Sequence, residues 1–165
     1  MNQEVDLFIP CFIDQIFPET GMNMARVLEK AGFKVRYNDH QTCCGQMAFN
    51  AGYWDEAKAM GQKFLKDFAH PRYVIGPSAS CVGYIRNHFP TLFHNSAYHL
   101  EYKNLVKRIF EFTDFLVNVA HCTDLGARFE AVVTYHDSCA ALRDYGIREE
   151  PRLLLSRVEG LELRE

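Results

Sequence analysis

No stretch of this chain approaches the ~20 consecutive apolar residues that a membrane-crossing helix needs. Its apolar content, 48%, is spread in short runs, so no transmembrane segment is expected. The opening Met1-Asn2-Gln3-Glu4-Val5-Asp6 lacks a basic segment leading into an apolar stretch, so no secretory leader is expected either. Positive charge is also short. Eighteen Lys and Arg stand against 21 Asp and Glu, a net charge of −3 that leaves no basic face for nucleic acid. There is no phosphate-binding glycine loop, no serine-nucleophile motif and no paired-carboxylate constellation. A cytoplasmic location is the expectation.

Cysteine is what is there. Six cysteines in 165 residues are even in number, as three disulfides would require. The chain is nevertheless long enough to bury a real core and carries no secretory signal, so reduced thiols available to a metal are the better expectation. Cys43-Cys44-Gly45 lies 32 residues after Cys11 and 37 residues before Cys81. Adjacent cysteines seldom bridge each other, because the bridge strains the backbone. A tight turn more often aims both thiolates at a common centre, with the glycine expected to let the backbone come close to it. The spacing points to an iron–sulfur or a zinc site.

The elements around these cysteines alternate. Val5 to Pro10 reads as a buried strand, Phe33 to Tyr37 as a second and Arg72 to Gly76 as a third. Between them lie amphipathic helices, from about Glu19 to Ala31 and from about Trp54 to Ala69. The first is stopped by Gly32, and Ala57, Met60, Gly61, Phe64, Leu65 and Phe68 share a face of the second. Another helix begins at Ser78 to Cys81. A long one, striped with Leu105, Ile109, Phe112, Leu116 and Val119, spans about Leu100 to Ala120. Such alternation predicts an α/β fold, a parallel sheet with helices on both faces. Ligands in such folds collect beyond the carboxyl ends of the strands. Cys11, Cys43, Cys44 and Cys81 each follow a strand and should therefore meet at one edge.

A repeat is visible. Ala131 to Cys139 is again a strand followed at once by a cysteine, and Cys139 lies 128 residues after Cys11. At that offset Gly32 falls on Gly160, Val35 on Leu163 and Arg36 on Arg164. The expectation is a pseudo-repeat of a cysteine-bearing β-α-β unit, with a first unit over 1–120 and the start of a second over 121–165. A second cysteine pair is expected roughly six residues past Glu165, so the second site, with Cys139 as its ligand, is incomplete in this sequence.

Cys11, Cys43-Cys44-Gly45 and Cys81 together resemble the cysteine-rich CCG domain. That domain occurs twice in one of the subunits of heterodisulfide reductase, in the iron–sulfur subunit of glycolate oxidase and in lactate-utilization protein A. Asp6 to Cys11, Thr42 to Gln46 and His136 to Cys139 look most like lactate-utilization protein A and its relatives. The resemblance implies an iron–sulfur electron-transfer subunit working beside a ferredoxin-like iron–sulfur protein and dehydrogenase subunits. In the lactate-utilization group it implies oxidation of L-lactate to pyruvate, and in the others a glycolate oxidase or a heterodisulfide-reductase-like complex. Cys11, Cys43, Cys44 and Cys81 would then hold the cofactor, most simply a 4Fe–4S cluster. Where the full motif has Cys-x-x-Cys, this chain has Ser78-Ala79-Ser80-Cys81, so one ligand is lost. Where many relatives have histidine after the second-unit cysteine, it has Ala140.

Two readings from other classes stay open at this level. Four thiolates also suit a tetrahedral zinc in a structural or assembly module, and the vicinal pair could exchange disulfides with a substrate. Cys81, at a helix N-terminus, has the dipole to favour its thiolate. Cys122 falls outside both units and reads as structural. His40 reads as a solvated loop residue, and His136 and Asp137 as residues shaping the turn before Cys139.

Overall fold

A computed structural model describes residues 3–165. The elements run in order as strand β1 (Glu4–Leu7), helices α1 (Cys11–Ile16) and α2 (Pro18–Lys30), and strand β2 (Lys34–Tyr37). Helices α3 (Gln46–Asn50) and α4 (Trp54–Asp67), strand β3 (Tyr73–Gly76) and helices α5 (Ala79–Phe93) and α6 (His99–Val106) follow. Strand β4 (Ile109–Glu111) and helix α7 (Phe112–Asp114) lead into a π-helical turn, Phe115–Val119. Strand β5 (Arg128–Val133), a second π-helical segment (Ala140–Tyr145), helix α8 (Glu149–Leu155) and strand β6 (Glu159–Leu163) complete the chain.

The α/β expectation holds. Four parallel strands form one sheet in the order β2-β1-β3-β4. Alternation along the strands sends neighbouring side chains to opposite faces. Val74 joins a core with Phe8, Phe64, Phe89 and Leu105 under α4, α5 and α6. Ile75 joins another with Val5, Leu28 and Phe115 under α2 and the first π-helical turn. Helices therefore cover both faces, as the near-continuous apolar strands required.

One expected helix is corrected. The stripe over 100–120 is not one helix but α6, β4, α7 and a π-helical turn. Ile109 and Phe110 pair with Val74 and Ile75, and Val74 N–H donates to Arg108 C=O. The Arg108 side chain is anchored on the carbonyls of Arg72 and Phe68. Leu105 and Ile109 are core residues in either conformation, so apolar spacing alone could not separate a helix from a three-residue edge strand. Two smaller corrections concern β1, which ends at Leu7, and α1, which begins directly at Cys11.

The last segment repeats the first in register. Val5 pairs with Val35 in the first sheet, and Val133 pairs with Leu163 in a parallel two-stranded sheet, each 128 residues further on. The repeat is docked by Tyr145, whose hydroxyl donates to Asp114 Oδ2 at 2.6 Å and accepts from Glu111 N–H at 2.9 Å. The Arg86 guanidinium lies over two rings, 4.8 Å from the centre of Phe110 and 4.6 Å from that of Tyr145.

Candidate metal centre

Sheet order explains why the cysteines gather. The chain leaves β1 toward β2 on one side and returns to β3 on the other, so the carboxyl ends of β1 and β3 flank a topological switch point. Pro10 caps α1 and puts Cys11 at its first position, where it is exposed. The segment after β2 carries Cys43, half-buried, and Cys44, buried at 1% exposure. Cys81 is in the first turn of α5, half-buried.

The four thiols stand in a row. Cys11 is in side-chain contact with Cys43, Cys43 with Cys44, and Cys44 with Cys81. All are free. The Cys44 thiol beside it, helped by Gly45 N–H at 3.4 Å, holds Cys43 down at about 5. Cys81 is lowered too, by the same Cys44 thiol and by the Ser78 hydroxyl. Cys44 is pushed far up by its hydrogen bonds with Cys43 and Cys81 and by burial. Burial, and then Cys43, pushes Cys11 up. Four thiolates side by side repel, so a polycationic centre is what would let all four ionise together, with release of the shared protons.

Gly45 has a different reason from the one the sequence suggested. Its φ is +92°, and a Cβ there would stand 3.2 Å from both Ala57 O and Met60 Cβ. The close approach is to α4, which the turn must graze. Ser78, where the fuller motif has a further cysteine, caps α5. Its Oγ accepts from Cys81 N–H at 3.4 Å. Cys139 is exposed at the start of the second π-helical segment and takes no part in the row. Cys122 is half-buried, its N–H donating to Leu116 C=O. His40 is exposed beside Asp39. Asp137 is held by Arg152 through two hydrogen bonds, 2.8 and 2.7 Å, so it fastens α8 to the turn before Cys139.

The sequence reading did not single out Tyr84. It lies three residues beyond Cys81, hence on the same side of α5, and joins the core that holds Cys43, Cys44 and Cys81. Its buried hydroxyl has no hydrogen-bond partner among the described residues, and burial raises its pKa. An orphaned donor in the core that also holds these soft sulfur ligands fits a sulfur-rich centre that would supply the acceptor. Among the described residues, no three His, Cys, Asp or Glu side chains form a ready-made cage for a single ion.

Fold and site define a cysteine-rich domain of the CCG type, and the family model described as "Cysteine-rich domain" (CCG) matches residues 5–86. Lactate utilization protein A 2 of Bacillus cereus (strain 03BB102) is 37% identical over 163 residues, covering 98% of this chain and 67% of the relative. Lactate utilization protein A of Oceanobacillus iheyensis is 39% identical over 163 residues, covering 98% of this chain and 66% of the relative. The chain belongs to the lactate utilization protein A family, and it spans about two thirds of the length of these relatives. No solved structure matches it. Among the described residues, no helix is long and apolar enough to cross a membrane.

Proposed function

We propose that this chain is the iron–sulfur electron-transfer subunit of a cytoplasmic oxidoreductase complex that oxidises L-lactate to pyruvate. The observation that carries the proposal is the row Cys11, Cys43, Cys44 and Cys81, in a chain whose relatives are named for lactate utilization. These four thiolates would hold a 4Fe–4S cluster, which supplies reversible one-electron storage when bound.

The chain's own residues do the rest. Cys44 and Tyr84, both buried, keep water from the inner side of the row, and Cys11 leaves the outer side open to solvent. A cavity of about 200 Å³ lined by Cys11, Gln15, Tyr37, Gln41, Thr42 and Cys43 opens there. A partner protein approaching that side comes within a short distance of the cofactor, as electron transfer requires. A ferredoxin-like iron–sulfur protein and a dehydrogenase subunit are the partners proposed. The dehydrogenase takes two electrons and two protons from lactate, and this subunit passes the electrons on singly.

The test combines the loaded chain with the other subunits under anaerobic conditions and adds L-lactate. The visible thiolate-to-iron absorption is expected to bleach, and to recover when an acceptor is added. Absorption unchanged by lactate, with the dehydrogenase shown to be active on a dye, would exclude the role.

A further inference from the structure

Three segments carry the four thiols, and two glutamines tie them together. Gln41 lies two residues before Cys43. Its Oε1 accepts from Ile9 N–H at 2.7 Å, and its Nε2 donates to Leu7 C=O at 3.2 Å and to Asn38 C=O at 3.0 Å. The donors and acceptors around it leave one orientation of the amide possible. Gln41 thus presents itself to the end of β1 much as a strand residue would, just ahead of Cys11. Gln46 lies two residues after Cys44, and its Oε1 accepts from Ser80 Oγ at 2.9 Å, one residue before Cys81. Besides the thiols themselves, these are the side chains whose hydrogen bonds join the 38–46 segment to the Cys11 and Cys81 segments among the described residues.

We propose that Gln41 and Gln46 are positioning residues with separate tasks: Gln41 sets the distance from Cys11 to Cys43, and Gln46, through Ser80, sets the distance from Cys44 to Cys81. Both sit on the segment that carries the vicinal pair, so each can fix one end of the row independently. Ile9 and Cys11 are joined by a single residue, Pro10, so holding Ile9 N–H holds the start of α1. Ser80 is inside the first turn of α5, so holding its hydroxyl holds the end that bears Cys81. The consequence for metal retention rests on the iron–sulfur reading above, and the geometry does not.

The test therefore begins with the metal-free chain. Diamide oxidises two neighbouring thiols to a disulfide: one S–S bond forms, and the two protons and two electrons reduce the reagent's N=N bond to a hydrazine. Peptide mapping by mass spectrometry then follows Cys11–Cys43 and Cys44–Cys81 bridges over time. In Gln41→Leu the first bridge is expected to form about tenfold more slowly, with the second unchanged. Gln46→Leu and Ser80→Ala are expected to slow the second by a similar factor and spare the first. Gln41→Glu keeps the acceptor for Ile9 N–H and is expected to fall between wild type and Gln41→Leu. It and Ser80→Ala carry the test if a leucine variant does not fold.

Both bridges slowed equally in every variant, neither slowed in any, or neither formed in wild type would each overturn the proposal. A second arm loads the chain with iron and sulfide and follows iron loss to a chelator. Both leucine variants are expected to lose iron about 10- to 100-fold faster. A wild-type chain that shows the selective bridge pattern but takes up no iron defeats the iron–sulfur reading and leaves the positioning roles standing.

Discussion

Tyr84 keeps a hydroxyl with no partner among the described residues, in the core that also holds Cys44 and Cys43. In the metal-free chain that donor costs free energy, on the order of 1–3 kcal/mol for an unmade buried hydrogen bond. Beside a sulfur-ligated centre it gains a charged acceptor. Tyr84→Phe is therefore expected to raise the stability of the metal-free chain in denaturant and to speed loss of iron from the loaded one. A variant that lowers metal-free stability contradicts this assignment. Glu111 gives a second residue-scale prediction. Its buried carboxylate accepts from Thr113 N–H at 2.7 Å, Thr113 Oγ1 at 2.5 Å and Asp114 N–H at 3.2 Å, yet burial still pushes its pKa up. A carboxyl raised above its unfolded value of 4.5 binds its proton more tightly when folded. Its contribution to stability is then present below 4.5 and lost as pH rises through the folded value. Glu111→Gln is expected to melt above wild type at neutral pH, with the gap closing on acidification below 4.5; a gap independent of pH would show that the carboxyl does not titrate this way. Neither residue was legible in the sequence. Nothing about a tyrosine one turn past a cysteine, or a glutamate inside an apolar stripe, reveals that its polar end is buried.

Helix α4 packs on α5 through Gly61, where a Cβ would come within 2.8 Å of Phe93 Cζ and 2.9 Å of Phe93 Cε2. Alanine in an exposed helix would be worth about 1 kcal/mol over glycine. Here the buried Phe93 ring must move, and overpacking reverses the sign. Gly61→Ala is expected to destabilise the chain by about 1–3 kcal/mol, read as a lower urea midpoint at unchanged slope. A stabilised variant would mean the two helices are loosely apposed. At this scale the sequence was most legible where periodicity was long. The helix expected from Glu19 to Ala31 is α2, Pro18–Lys30, and the one expected from Trp54 is α4. It was least legible over 100–120, where β4 shares its apolar residues with a helical stripe and only pairing with β3 decides between them. Helix α1 was missed because six residues with no buried side chain leave no stripe to read.

Over the whole molecule, strand order rather than any local motif makes the site. The thiols lie 32 and 37 residues apart in sequence, and they meet because β1 and β3 are neighbours whose chains depart to opposite sides. That convergence could be read in advance from strands that each end just before a cysteine. The opposed pKa shifts of Cys43 and Cys44, the role of Ser78 as a helix cap and the two glutamine ties could not, because each depends on side chains brought together in the fold. The repeat was legible from Cys139 and the apolar pattern, and its strand pairing keeps the register of the first sheet. The central claim is that Cys11, Cys43, Cys44 and Cys81 hold one iron–sulfur cluster. The most direct measurement is iron, acid-labile sulfide and zinc per chain in protein isolated without exposure to air. The account predicts about four irons and about four sulfides. A single tightly held zinc with no sulfide would contradict it.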